Sequence, residues 1–238
     1  MRLVESHNSR RSIDLSGWTV HTWDYSGNPN GSWIVDSSKT LVTQTLNTDP
    51  SAFLNGVNIT SYTMRGNFRV NTTTDDDMVG FVFGYQDSNH FHLFDWKQAN
   101  QSPGLEGFSV RKYSAPTGYS WQNADFGATS TTYMQVLASD HGSDKGWVDL
   151  TTYGFFLDFQ PETFQIRISQ NSLILYDVII NDSSFTSGQF GLFNDSQPNA
   201  QYFDLIQTNV PIPEPVSMLL FGTGLIGVGG YVKRKLKG

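Results

Sequence analysis

The sequence predicts an all-β fold: an antiparallel jelly-roll β-sandwich followed by a C-terminal hydrophobic helix. Three observations point there. Apolar and polar residues alternate with a period of two through most of the chain, the intervening segments are rich in Asn, Asp, Gly and Ser, and helical signals are almost absent before residue 216. Ten or more such strands fit two packed sheets. The chain has 238 residues, 38% of them hydrophobic and 14% aromatic, enough for one large core.

Residues 1–13, "MRLVESHNSRRSI", carry the basic residues of a signal peptide but lack its apolar stretch. They read as a leader remnant or a disordered segment. Either the true start lies upstream or the protein enters the membrane by its tail alone. The folded domain is expected over 14–209, with no internal linker or repeat. In "YTMRGNFRVN", Tyr62, Met64, Phe68 and Val70 share one face, and Thr63, Arg65, Asn67, Arg69 and Asn71 the other. In "TFQIRIS", Phe164, Ile166 and Ile168 alternate with Gln165, Arg167 and Ser169. Similar runs occur in "GFVFGYQ", "FHLFDW", "YMQVLAS", "SLILYDVII", "GQFGLF" and "QYFDLIQ". Trp18, Trp33, Trp96, Trp121 and Trp147 are expected mostly as core or strand-end anchors.

Charge narrows the function. The net charge is −7 with a pI near 5.0, so a phosphate backbone is repelled and nucleic acid is excluded as a partner. Cysteine is absent, which removes disulfides, thiolate metal sites and cysteine nucleophiles together. The acids are lopsided: 18 Asp against four Glu, at 5, 106, 162 and 214. Asp favours turns and calcium loops. Three of them, Asp75, Asp76 and Asp77, stand together before the apolar run "MVGFVFGY". Neighbouring anions repel by about 1 kcal/mol per close pair even in water, so the cluster either stays solvated or recruits a cation. In an extended segment, alternation would place Asp75 and Asp77 on one side and Asp76 on the other.

Catalytic patterns are sparse. Glycoside hydrolysis needs two carboxyls about 5 to 9.5 Å apart across the scissile bond. The only glutamates in the body, Glu106 and Glu162, are isolated in sequence, which leaves a pair of aspartates as the remaining route. His90 and His92 share a strand face, a spacing able to grip zinc or copper, but no third ligand is identifiable and a polar-face role is the alternative. There is no nucleophile elbow and no glycine-rich phosphate loop.

At the C-terminus, Val216 to Val232 are 17 residues without a charge, followed by Lys233, Arg234, Lys235 and Lys237. This reads as a transmembrane segment with the body of the chain outside, against the alternative of a buried core helix. Its five glycines permit close helix contacts and weaken it as a permanent anchor. The order Pro213-Glu214-Pro215, apolar segment, basic end resembles the bacterial PEP-CTERM sorting signal. That resemblance implies a tail, 210–238, handled by an exosortase-type processing enzyme at the membrane, with Pro213, Glu214 and Pro215 as its recognition motif. The passenger is then expected at the cell surface or outside the cell, tethered at first by this segment.

The stretch "DDDMVGFVFGYQDSNHFHLFDWKQ" is similar to the thrombospondin C-terminal domain, a lectin-like, concanavalin-like jelly roll. The likeness continues through "WIVDSSKTLVTQTLNTDPSAFLNGV", "GWVDLTTYGFFLDFQPETFQIRI", "GQFGLFNDS" and "YFDLIQ". It implies bound Ca2+ and a part in matrix contacts and adhesion. Carried onto this chain, the implied metal residues are Asp75, Asp76 and Asp77, with Asp49 of "NTDPS" as an addition. The chain has none of the animal domain's cysteines and no Arg-Gly-Asp tripeptide, so binding to animal receptors does not follow.

The expected function is a non-enzymatic, calcium-binding surface or matrix protein that contributes to adhesion, within a biofilm of extracellular polysaccharide. An alternative is a calcium-dependent lectin that binds exopolysaccharide, using Tyr119 or Trp121 as a platform beside the metal. A glycan-cleaving enzyme ranks below both.

Overall fold

The computed structural model describes residues 12–209. The leader reading for the first eleven residues lies outside the described residues. So do the sorting motif Pro213, Glu214 and Pro215, the span 216–232 and the C-terminal helix. Near the start of the described part, the Ile13 amide donates to the Leu205 carbonyl at 2.8 Å.

Fourteen strands run in chain order among the described residues. They are β1 (Thr19–Thr22), β2 (Trp33–Val35), β3 (Leu41–Gln44), β4 (Ser51–Leu54), β5 (Tyr62–Val70), β6 (Met78–Asp87) and β7 (His90–Lys97). Then come β8 (Gly107–Ser114), β9 (Met134–His141), β10 (Tyr153–Gln160), β11 (Thr163–Gln170), β12 (Leu173–Asn181), β13 (Gln189–Asp195) and β14 (Ala200–Asn209). A single 3-10 turn, Asn123–Phe126, interrupts the connection from β8 to β9.

They form two antiparallel sheets of seven strands. The first has the order β1-β4-β13-β6-β7-β8-β9, the second β12-β11-β10-β5-β14-β3-β2. β5 and β11 bury alternate residues, as their period of two predicts, because only one face of each meets the partner sheet. Rings from both sheets interleave there. Phe81 lies 4.9 Å from Phe94, 5.1 Å from Phe155 and 5.8 Å from Phe190, centroid to centroid.

β6 behaves differently. Its first eight residues are all buried, so both faces are covered. Phe81 and Phe83 point into the core between the sheets, whereas Val82 and Tyr85 join a second cluster on the opposite face. Trp23, Trp121 and Phe126 cover that face with Phe91, Leu93, Tyr113 and Phe193. The indole N–H groups of Trp23 and Trp121 both donate to the Ser88 carbonyl at 2.9 Å, which fixes the lid to the β6–β7 turn. Trp96, Trp121 and Trp147 are buried, and Trp18 and Trp33 pack against the core from partly exposed positions.

The two histidines of β7 differ in setting. His92 is fully buried, stacks on Phe83 at 5.1 Å and bonds Asp182 through Nε2 at 3.2 Å. His90 is partly exposed and pairs with Asp87 at 2.9 Å. The polar-face reading of His92 is therefore replaced by an inward one: its strand alternation carries it between the sheets. At the edge of the second sheet, β12 leaves Leu173, Ile174 and Ile179 more than half exposed.

Candidate metal centre

β5 ends at Val70 and β6 begins at Met78, in different sheets, so residues 71–77 must cross the rim of the sandwich. The crossing is irregular rather than extended, and alternation does not apply to it. Each of Asp75, Asp76 and Asp77 offers a carboxylate oxygen, and the three atoms lie within 4.8 Å of one another. The separation of Asp76 from its neighbours, expected for an extended segment, does not occur.

Four side chains from distant parts of the sequence hold this loop. Asn47 donates through Nδ2 to Asp75 Oδ2 at 3.0 Å. The Asp77 amide donates to Gln197 Oε1 at 3.0 Å, and the Trp147 indole donates to the Asp77 carbonyl at 3.1 Å. Lys97, buried at the end of β7 opposite Met78, places Nζ 2.5 Å from Asp77 Oδ1 and 3.6 Å from Asp76 Oδ1. None of these contacts is visible as a spacing: Lys97 follows Asp77 by 20 residues and Gln197 by 120.

Electrostatics mark the same place. Burial, followed by the charge of Asp77 and a hydrogen bond with it, raises the Asp75 carboxyl above its ordinary range. Asp195, at the end of β13, is pushed up to about 7 by burial and then by the Asp77 charge, with Lys97 acting the other way. Sequence reading did not single out Asp195. Its only signal was its place in "GLFNDS", on a strand whose neighbours are all buried.

Asp49 is buried next to this group but is not one of the three converging carboxylates. Its oxygens accept the amides of Tyr25 at 3.2 Å and Ser26 at 3.1 Å, the Ser26 hydroxyl, and Asn28 Nδ2 at 3.4 Å. It therefore shapes the loop after β1. That loop, the rim and the segment 101–104 enclose a cavity of about 330 Å³, whose lining includes Asn28, Asn47, Asp77, Lys97, Gln101 and Asp195. Tyr119 and Trp121 line another cavity, of about 260 Å³, which shares no residue with the first.

The donors fit a hard divalent cation. They are all oxygen, three anionic and near one another, and calcium takes about six to eight oxygens at 2.3–2.6 Å. Several other aspartates have partners of their own: Asp95 meets Arg111, Asp140 meets Lys145, Asp149 accepts from Gln98 and Asp204 from Asn67. Glu106 accepts the amides of Lys145 and Gly146, so it caps a turn. No helix among the described residues is long and apolar enough to cross a membrane.

Residues 28–209 match the family model for the thrombospondin C-terminal region, and residues 211–235 match the PEP-CTERM protein-sorting motif. Cartilage oligomeric matrix protein of Bos taurus is 32% identical over 198 residues, covering 76% of this chain and 26% of that protein. Thrombospondin-3b of Danio rerio is 30% identical over 198 residues, covering 76% and 21%. The chain thus spans about a quarter of the length of these relatives. Among solved structures, the carbohydrate-binding module CBM66 from Bacillus subtilis superimposes with a TM-score of 0.54 at 15% identity, covering 84% of this chain and 100% of that one. The VIP36 exoplasmic/lumenal domain in its Ca2+/Man3GlcNAc-bound form gives 0.54 at 12% identity, covering 84% and 87%. These last two establish the shared sandwich alone. The sorting motif assigns the chain to the cell surface or beyond, tethered first by its C-terminal segment. The chain belongs to the thrombospondin C-terminal region family, followed by a PEP-CTERM sorting motif.

Proposed function

We propose that this protein is a non-enzymatic, calcium-stabilised adhesion or structural protein of the cell surface or matrix, released to its place by an exosortase-type enzyme. Asp75, Asp76 and Asp77 are the proposed Ca2+ ligands, and Asp49 supports them from the adjoining loop. The observation that carries the reading is the convergence of three carboxylates on a loop braced by Asn47, Gln197 and Trp147. Like charges held this close in a built loop favour an ion that binds all three. The relatives' matrix and thrombospondin names support the structural role. The test is calorimetric titration of the purified protein with calcium, read beside its melting temperature. Silence in both removes the reading.

A second reading, a calcium-dependent lectin for extracellular polysaccharide, is favoured by the cavity beside Asp77. Its lining supplies the amides of Asn28, Asn47, Gln101 and Asn123 and the ring of Tyr25, the groups that meet sugar hydroxyls and faces. A glycan array with and without chelator separates the two: retention that depends on calcium selects the lectin, and uniform blanks select the scaffold.

A further inference from the structure

We propose that Lys97 is a resident counter-cation of the acidic loop: it holds Asp76 and Asp77 together in the metal-free protein and weakens calcium binding by competing for them. The inference rests on the metal reading above. It starts from an anomaly of burial. A lysine almost never loses nearly all its solvent exposure unless it is paired, yet the Lys97 side chain is 2% exposed.

Its ammonium sits among four oxygens. Asp77 Oδ1 is 2.5 Å away, the Asp76 carbonyl and Gln101 Oε1 are each 3.3 Å away, and Asp76 Oδ1 is 3.6 Å away. An all-oxygen nest with two carboxylates is also what a hard metal ion requires. The position is enforced from behind. A Cβ on Gly104 would lie 2.8 Å from Lys97 Cδ and Met78 Cε, so the segment after β7 rests directly on the lysine stem.

The charge balance follows. Lys97 offsets one of the three negative charges of the loop, which leaves a net negative site for a divalent ion. Without the ion, Lys97 offsets part of the repulsion among the aspartates. With the ion, a positive charge stands beside its ligands and opposes it. The same residue therefore stabilises the empty loop and loosens the filled one.

The experiment uses the full chain in non-ionic detergent micelles, comparing wild type with Lys97→Met and with Lys97→Met/Asp77→Asn. Calcium chloride is titrated by calorimetry, and melting is followed in chelator. The expected result for Lys97→Met is calcium affinity about tenfold tighter, the scale of one unit charge removed a few ångströms from a partly solvated ion, together with a lower metal-free melting temperature. The double variant should melt, metal-free, closer to wild type. If Lys97→Met fails to fold in chelator, recovery of folding in the double variant supports the counter-ion role, and no recovery overturns it. Unchanged affinity in Lys97→Met, with a wild type that binds calcium, overturns the inference and leaves the metal reading standing. A wild type silent to calcium removes both the metal reading and the competition. An unchanged metal-free melting temperature overturns the assembly role.

Discussion

Arg111 Nη1 lies 2.9 Å from Asp95 Oδ2, and both side chains are almost wholly excluded from water. They project from neighbouring strands, β8 and β7, on the face of the first sheet that the tryptophan lid covers. A buried ion pair adds little net stability over apolar residues of the same size, but an orphaned member costs much. Asp95→Ala should therefore destabilise the fold by about 3–5 kcal/mol, while Asp95→Leu/Arg111→Met should stay within roughly 1 kcal/mol of wild type or exceed it. Urea denaturation of the single and double variants measures both.

The pH profile of the metal-free protein should pass through a maximum near pH 4. Burial, opposed by Arg111 and then Lys97, pushes Asp95 up to about 6, and Asp195 reaches about 7. Both folded values exceed the ordinary value of 3.8, so between pH 4 and 7 these two groups hold more protons in the folded state than in the unfolded chain and their contribution to stability falls as pH rises, while buried His92, lowered by desolvation, works the other way. Asp182 does the reverse. Burial works to raise it, but bonds from His92, the Ser184 amide, Lys112 and the Ser184 hydroxyl hold it well below the usual carboxylate range. Its contribution is complete above its unfolded value and is lost as pH falls below about 4. Melting temperatures in chelator from pH 3 to 8 test this. Asp95→Leu/Arg111→Met should flatten the upper limb, and Asp182→Asn the lower.

Asp75→Asn should separate binding from folding. In the metal-free state it removes one member of a crowded trio and should leave stability unchanged or raised by up to about 1 kcal/mol. With calcium present it deletes a proposed ligand, so the calcium-induced rise in melting temperature should shrink. A rise equal to wild type would remove Asp75 from the ligand set.

Phe81→Ala should cost about 3–5 kcal/mol, because the ring is buried among Phe94, Phe155 and Phe190 and neither sheet can close the void. Ile179→Ala, at a position 68% exposed on β12, should change stability by less than about 0.5 kcal/mol. Chemical denaturation compares the pair.

The fold was legible where one face of a strand is buried and the other is not. β5 and β11 carry that pattern without interruption, and the burial matches it residue by residue. β6 was readable as a strand from its apolar run, but its second covered face depends on Trp23 and Phe126, which lie far away in sequence. The site was half legible. Three adjacent aspartates announce a charge problem, yet the braces Asn47, Gln197, Trp147 and Lys97 come together only through sheet order and register. The buried acid Asp195 was hidden for the same reason. His92 was misread because alternation within β7 does not reveal which face meets the second sheet.

β14 runs beside β5 from Ala200, opposite Val70, to Asn209, opposite Tyr62. Val70 adjoins the loop that carries the aspartates, so Asn209 lies roughly 26 Å from that loop, eight strand steps away. The last described residue of β14 and the acidic loop therefore lie at opposite ends of the β5–β14 pair, so a change at one end of the pair is not in contact with the other.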